Sequence, residues 1–281
     1  MTVYLIDLFC GAGGFSTGAV KCGTKVILAI DIWDTALETH KLNHPDCQHL
    51  NYHLGGNKQK TIEMIYHYIH HFIPKLKKND KIHIHGSPPC QNLSTANNYE
   101  SKDQEKGLKL TFWTIDLFIK MEKLGIIDSW TIEQVNNVAF RKKLDKVRNI
   151  FYKIFNMEEY NVPQTRSRVI VSNISLDNVK KKKPTLVKFD ENIKYVENAM
   201  CKNYTMYRSI TEPFYTIVSS SHYLCDKNKN RIKTISPQEM SLVQTFPKKY
   251  QFYYKTILDY KKQIANSVPP NFAKQLLESI T

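Results

Sequence analysis

The first thirty residues constrain the fold most, because they predict a strand, a glycine turn, a helix and a second strand. Residues 3–9 form a short apolar run followed by glycines, which predicts a buried strand. Residues 15–22 predict a helix, and residues 25–30 predict a second apolar strand. Two strands joined through a helix form a βαβ unit, whose strands run parallel. The sequence therefore predicts an α/β fold built on a parallel sheet.

The alternation of strands and helices continues to residue 172 and then stops. Further helices are predicted at residues 35–42, 62–76, 111–124 and 147–155, and further strands at 81–85, 129–135 and 168–172. Residues 177–233 are rich in Lys and Asn and lack helical periodicity, which predicts loops and short strands. Short helices are predicted at 237–243 and 272–277. We expect a large domain over residues 1–174, a small domain over 175–258, and a C-terminal segment over 259–281 that returns to the large domain.

The composition favours a polyanionic partner in a reducing compartment. Lys and Arg number 40 against 26 Asp and Glu, for a formal net charge of +14, which favours nucleic acid. The six cysteines contain no CxxC pair, which predicts neither a disulfide framework nor a zinc site. His67, His70 and His71 are interpreted as helix surface, and we expect no metal.

The chain shows no apolar run of about 18 residues and no signal peptide at its start, so we expect no membrane association.

A glycine-rich turn at the end of the first predicted strand indicates a cofactor site. The sequence from Asp7 to Gly14 is DLFCGAGG, and its glycines let the backbone approach a ligand closely. Asp31 ends the next predicted strand, where a carboxylate can accept both hydroxyls of a ribose. The spacing differs from the dinucleotide G-x-G-x-x-G pattern, and the acidic start disfavours a pyrophosphate. A carboxylate near the cofactor suits a positively charged group, such as the amino-acid end of S-adenosylmethionine.

A candidate nucleophile follows the strand predicted at residues 81–85. Pro88 and Pro89 stiffen the turn at the strand end, and Cys90 comes directly after them. A buried structural cysteine is the alternative interpretation. Glu133 lies at the end of the next predicted strand, and the carboxyl ends of parallel strands line one crevice. Methylation of an unactivated pyrimidine carbon requires such a nucleophile together with an acid beside a ring nitrogen.

Two arginines give weaker evidence for a functional site. Arg166 and Arg168 alternate along a predicted strand, so both guanidinium groups can point at one anionic or carbonyl group. A solvated edge strand is the alternative interpretation for the two arginines taken alone.

These motifs together resemble the DNA cytosine-5 methyltransferase family, and they occur in the order of that family. The resemblance covers nearly the whole chain. The matching segments are residues 7–16, Asp31 with Ala36 and Asn43, residues 89–91, residues 164–168, residues 239–247 and residues 264–270.

The resemblance implies a Rossmann-like S-adenosylmethionine-dependent sheet with a second, smaller and irregular target-recognition domain. It implies methyl transfer from S-adenosylmethionine to C5 of a cytosine flipped out of double-stranded DNA, within a short recognition sequence. The implied catalytic residues are Cys90, which attacks C6, Glu133 at N3, and the arginines Arg166 and Arg168. The implied cofactor-binding residues are Asp7, Phe9, Cys10, Gly11, Ala12, Gly13, Gly14, Asp31, Ile32, Pro88, Asn266, Ser267 and Val268. The implied DNA-binding residues are Ser94, Asn97, Lys102, Lys106 and Arg166.

The chain departs from the family pattern at three places. Gln134 stands where the family usually has Asn beside the acid, and Ser87 stands where it often has Gly. The Asp that reads the adenine amino group is missing, and Asn51 or Asn57 is the candidate substitute.

Two other functions remain open from the sequence. One is an RNA (tRNA) cytosine-5 methyltransferase with the same fold, although the Cys-Phe-Thr signature of that branch is absent. The other is a catalytically silent DNA-binding homologue. For the enzyme we expect a monomer that acts on double-stranded DNA, in the cytoplasm of a prokaryotic or virus-infected cell, or in the nucleus of a eukaryote.

Overall fold

The computed structural model describes residues 1–73, 76–89, 101–198, 205–220 and 222–280, with residues 101–107 described by their backbone alone. No helix in these ranges is long and apolar enough to cross a membrane.

A seven-stranded sheet forms the centre of the large domain, in the order β3-β2-β1-β4-β5-β7-β6. The strands are β1 (Val3–Leu8), β2 (Lys25–Asp31), β3 (Gln48–Asn51), β4 (Lys81–Gly86), β5 (Ser129–Val135), β6 (Phe151–Asn156) and β7 (Ser167–Ser172). The pairs from β3 to β5 are parallel, whereas β7 is antiparallel to both of its neighbours. The predicted α/β class is therefore confirmed.

Helices cover both faces of this sheet. In chain order the helices are α1 (Gly14–Lys21), α2 (Asp34–Asn43), α3 (Lys58–Phe72), α4 (Ser101–Lys123), α5 (Val138–Leu144), α6 (Pro237–Val243), α7 (Ile257–Asn266) and α8 (Pro270–Ile280), of which α6 and α7 belong to a separate core cluster. Successive residues of β1 point to opposite faces, as strand geometry requires. Leu5 packs into one cluster with Phe15 and Phe272, whereas Ile6 packs into another with Ile65 and Phe118. The sheet is thus buried on both sides, which accounts for its continuous apolar strands.

A second sheet of four short antiparallel strands follows, in the order β11-β10-β8-β9. Its strands are β8 (Tyr195–Glu197), β9 (Tyr207–Ser209), β10 (Tyr223–Cys225) and β11 (Arg231–Thr234). Val196 and Leu224 share a core cluster with Val243 of α6 and Ile264 of α7. Helix α8 packs instead against α1 of the large domain. A second, smaller sheet is therefore present, as the predicted fold class requires, and its core includes α7, whereas the domain bounds stay a prediction.

The helix predicted at residues 147–155 is wrong, because β6 occupies most of that range. The helix lies earlier, as α5, where the Asn137 side chain accepts a hydrogen bond from the Phe140 N–H at 3.1 Å. The sheet is mostly parallel, as predicted, and β7 is the exception. Only residues 157–166 join β6 to β7, and a parallel return needs a crossover of about a dozen residues or more.

Candidate active site

A cavity of about 400 Å³ opens at the carboxyl ends of β1, β2, β4 and β5. Ligand pockets of this size hold small molecules and cofactors. Of the predicted cofactor-binding and catalytic residues, those that line the cavity are Asp7, Phe9, Cys10, Gly11, Ala12, Asp31, Ile32, Pro88, Glu133, Arg166, Asn266, Ser267 and Val268. The cavity therefore brings together most of the residues that the sequence singled out, from both ends of the chain.

Gly13 and Gly14 shape the cavity without lining it. Gly13 adopts φ +82°, in the left-handed region that favours glycine. A Cβ added to Gly14 would lie 2.2 Å from the Val268 carbonyl oxygen. Because Gly14 lacks a side chain, the start of α1 touches the C-terminal segment, and this contact brings Val268 to the cavity wall.

Asp31 is fixed at the end of β2 by two backbone groups. Its Oδ2 accepts the Gly11 N–H at 2.8 Å, and its Oδ1 accepts the Trp33 N–H at 2.9 Å. Burial raises the pKa of the Asp31 carboxyl, although these hydrogen bonds oppose the rise. Each carboxylate oxygen retains acceptor capacity, so Asp31 can still receive hydroxyl groups from a bound ligand.

Asp7 is a second carboxyl at the cavity, and it is only 1% exposed. Its Oδ2 accepts the Ser16 hydroxyl at 2.6 Å, while its Oδ1 has no hydrogen-bond partner within the described ranges. Burial raises the pKa of Asp7 to about 7, with the Ser16 hydrogen bond opposing the rise and the nearby Asp31 adding to it. A ligand with a positive group can satisfy this carboxyl and hold it ionised.

Glu133 and Arg168 form an ion pair at the other end of the cavity. Arg168 Nε lies 2.8 Å from Glu133 Oε1, and the two side chains are 12% and 9% exposed. In the antiparallel register Glu133 is opposite Ile170 and Val135 is opposite Arg168. Glu133 and Arg168 are therefore diagonal neighbours on one face, within reach of a long side chain.

The hydrogen bonds of Arg166 described here go to the C-terminal segment, whereas Arg168 pairs with Glu133. Arg166 lies just before β7 and donates to the Ala265 carbonyl at 3.1 Å and to the Ser267 carbonyl at 3.5 Å. It is 3% exposed, and its role in DNA binding stays a prediction. Its guanidinium group instead holds the C-terminal segment at the cavity.

Gln134 is fully buried and connects three elements. Its Nε2 donates to the Pro88 carbonyl at 3.3 Å and to Thr111 Oγ1 of α4 at 3.0 Å. Its Oε1 accepts the Val135 N–H at 2.8 Å. The residue that departs from the family pattern thus holds the turn that precedes Cys90.

Several predicted residues lie outside the described ranges. These are Cys90, Ser94 and Asn97, together with the side chains of Lys102 and Lys106. The described chain reaches Pro89, which lines the cavity with Ser87 and Pro88. Ser87 Oγ is hydrogen-bonded to His85 Nε2 at 2.8 Å, which anchors this turn to β4.

The sequence did not predict the part of the cavity that is lined by the residues after β3. Tyr52, His53 and Leu54 line it, whereas neither Asn51 nor Asn57 does. Asn51 bonds to Asp34, and Asn57 accepts the Lys60 N–H at 3.1 Å to cap α3. Strand β3 has the sequence QHLN, which contains no apolar run to reveal it. Other lining residues not predicted are Phe15, Trp33, Ser87, Pro89, Leu110 and Gln263.

Comparison with known proteins agrees with the family that the sequence motifs resemble. The family model of the C-5 cytosine-specific DNA methylase matches residues 3–126 and 178–281. The type II methyltransferase M.MthTI of Methanothermobacter thermautotrophicus is 24% identical, over 100% of this chain and 97% of that protein. M.HgiDI of Herpetosiphon aurantiacus is 26% identical, over 98% and 93%. The crystal structure of a Spodoptera frugiperda DNMT2 mutant covers 99% of both chains with a TM-score of 0.68 at 17% identity, which is a likeness of fold.

Proposed function

Because the chain belongs to the C-5 cytosine-specific DNA methylase family, we propose that it methylates C5 of a cytosine flipped out of double-stranded DNA, with S-adenosylmethionine as donor. Its full-length relatives are type II DNA methyltransferases, and the chain is a DNA cytosine-5 methyltransferase. The observation that carries the proposal is one cavity, with Asp7 and Asp31 at one end and the Glu133–Arg168 pair at the other. We place it in a restriction–modification setting, as a cytoplasmic monomer.

The cofactor end of the cavity suits S-adenosylmethionine. Asp31 would accept the ribose hydroxyls, and Asp7 would accept the α-amino group. Phe9 and Ile32 would lie on either side of the adenine, and both line the cavity. When bound, this cofactor supplies an electrophilic methyl group on a sulfonium. The carboxylates and the positive ligand match in charge, which supports this choice over a pyrophosphate-containing cofactor.

At the catalytic end, Glu133 would serve as the acid, and Cys90, which follows the lining residue Pro89 in the sequence, would serve as the nucleophile. In the proposed reaction, the Cys90 thiolate forms a bond to C6 of the flipped cytosine, and Glu133 holds a proton at N3. C5 would then bond to the methyl group that the cofactor supplies, and the methyl–sulfur bond would break so that the sulfonium leaves as a neutral thioether. A water takes the C5 proton, and the bond to Cys90 breaks to restore the aromatic ring. Arg168 would orient Glu133 and contact the cytosine O2.

A 5-fluorocytosine trap tests this proposal directly. Bisulfite sequencing of plasmid DNA exposed to the enzyme first gives the target, which we expect to span about two to four base pairs, since one bidentate contact reads each pair. Duplex DNA with 5-fluorocytosine at the target should then form a complex that survives denaturation, because fluorine blocks the final elimination. Peptide mapping should place the DNA on Cys90. An adduct on tRNA and none on DNA would instead support the RNA enzyme, and methylation of neither would support the silent homologue.

Cofactor affinity should depend on pH through Asp7. With the carboxyl pKa near 7, Asp7 is protonated at lower pH, and the neutral form cannot pair with the cofactor amino group. The dissociation constant should therefore rise as pH falls below about 7, by up to tenfold per unit, since each unit of pKa is about 1.4 kcal/mol. Calorimetric titration across this range measures the effect. Asp7→Asn should bind more weakly at pH 8 and lose this dependence; an unchanged pH profile in Asp7→Asn would contradict the assignment.

Removal of the Gln134 side chain should slow turnover without loss of cofactor binding. Gln134→Ala frees the Pro88 carbonyl two residues before Cys90, and a misplacement of about 1 Å can cost about 100-fold in rate. We expect a fall in kcat of about 10- to 100-fold, with the cofactor dissociation constant unchanged within about threefold. Gln59→Ala, on the exposed face of α3, is the matched control. Gln134→Asn should recover part of the rate, whereas a defect confined to cofactor binding would refute this positioning role.

A further inference from the structure

Three potential metal ligands converge beside the cofactor cavity, at a place that the methyl-transfer chemistry does not use. His40, Cys47 and His49 each offer one side-chain ligand atom, and these three atoms lie within 4.8 Å of one another. His40 is 0% exposed and Cys47 is 7% exposed, while His49 is partly exposed. Two imidazole nitrogens and one sulfur form a ligand set typical of zinc and similar transition metals.

The fold brings these ligands together over a short stretch of chain. His40 lies on the last turn of α2, Cys47 lies in the connection that follows, and His49 lies on β3. His49 is opposite Ala29 in the parallel pairing of β3 with β2, which fixes its place on the sheet. Because the short, polar strand β3 was not predicted from the sequence, the spacing of these residues did not indicate a metal site.

While Asp7 is ionised, the hydrogen bonds around His40 favour one tautomer of its ring. The Ser16 hydroxyl donates to Asp7 Oδ2 at 2.6 Å. With its own proton used in this way, Ser16 Oγ accepts from His40 Nε2–H, at 3.0 Å. In the neutral ring the other nitrogen, His40 Nδ1, then carries a lone pair.

That lone pair points at a second ring nitrogen. His40 Nδ1 lies 2.8 Å from His49 Nε2. A proton between the two nitrogens would join them, and the Cys47 thiol would then keep its hydrogen bond to the Gln48 carbonyl, at 3.3 Å. A metal ion can accept all three atoms at once.

We propose that His40, Cys47 and His49 bind one divalent transition metal ion of the zinc class. Bond lengths to zinc of about 2.0–2.1 Å at tetrahedral angles place two nitrogen ligands roughly 3.3 Å apart, so the two rings need to separate by only about 0.5 Å. Cys47 binds as the thiolate, and its proton is released to solvent. A water can occupy the fourth position.

The surroundings of His40 match those of metal-bound histidines. Such a histidine usually donates its second ring N–H to an oxygen acceptor, which orients the ring. Here Nε2–H donates to Ser16, and Ser16 donates to Asp7 at the cavity. The ion would tie the end of α2 to β3, whose following residues line the cavity. It is therefore a structural ion beside the cofactor site.

Cobalt substitution tests the site in the full-length protein. The protein is stripped with a chelator and titrated with Co²⁺, then with Zn²⁺ as competitor. We expect one ion per chain, a thiolate-to-cobalt charge-transfer band, and intense visible bands typical of four-coordination. Cys47→Ser should remove the charge-transfer band, and His49→Gln should weaken binding by at least about 100-fold, beyond the loss typical of a group that only orients a ligand.

Matched controls separate this site from adventitious binding. Cys22→Ser and His70→Gln remove a cysteine and a histidine elsewhere and should leave the spectrum unchanged. Zn²⁺ should raise the thermal unfolding midpoint of the unmutated protein and of both controls, but not that of Cys47→Ser. The absence of a thiolate–cobalt band in the unmutated protein would overturn the proposal. A band that persists in Cys47→Ser would overturn it as well.

Discussion

Cys90→Ala should abolish methyl transfer to DNA while the protein still binds its cofactor. Without the thiolate, nothing adds to C6, and C5 of an aromatic cytosine does not attack a methyl donor. Removal of a covalent nucleophile costs on the order of 10⁴-fold or more in kcat. Transfer of labelled methyl groups to a target duplex measures the loss, and calorimetry should give a cofactor dissociation constant within about threefold of the original.

The control for this variant is Cys22→Ala, which removes a partly buried thiol that bonds to the Ala19 carbonyl at 3.1 Å. It should retain activity. Residual transfer by Cys90→Ala above about one hundredth of the original rate would rule out the covalent mechanism, since direct attack by cytosine would then suffice.

Glu133→Gln should lower kcat by about 10²- to 10⁴-fold, which is the usual contribution of a positioned acid. The amide has nearly the same shape as the carboxyl and can still accept from Arg168, but it cannot hold a transferable proton at the cytosine N3. The loss should appear in single-turnover kinetics, where it reports on the chemical step. Affinities for DNA and cofactor should change little.

Glu38→Gln provides the comparison for a lost ion pair, because Glu38 bonds to Lys41 at 2.6 Å on an exposed helix face. Exposed pairs of this kind contribute about 1 kcal/mol or less, so its activity should be unchanged. If Glu133→Gln lost only DNA affinity and kept its single-turnover rate, Glu133 would be a binding residue and not the acid.

Much of the fold could be predicted from local sequence, because local forces fix it. The apolar runs of β1, β2 and β5 and the glycine turn before α1 specify elements that stand almost where they were expected. The failures came where the local signal is weak. Strand β3 is short and polar, and α7 begins at a capping box of Thr256 and Asp259 that was overlooked.

Part of the candidate site could likewise be predicted from the sequence, and part could not. Asp7 and Asp31 could be found because each ends an apolar strand, and the carboxyl ends of parallel strands meet at one edge. The other lining residues Tyr52, His53 and Leu54 could not be predicted, because they follow β3, which has no apolar run to identify it in the sequence. The approach of His40 to Cys47 and His49 depends on that same strand.

By itself, the sequence determined the family and the α/β class, and it indicated the groups that we propose enter the chemistry. It did so because glycine turns, strand ends and reactive side chains are local features that a motif records. Only the tertiary structure decided how those groups pair. The direction of β7 places Arg168 diagonal to Glu133 and sends Arg166 to the carbonyls of Ala265 and Ser267. Strand direction depends on the length of a connection and on the packing of distant elements, and neither is recorded in the residues that it brings together.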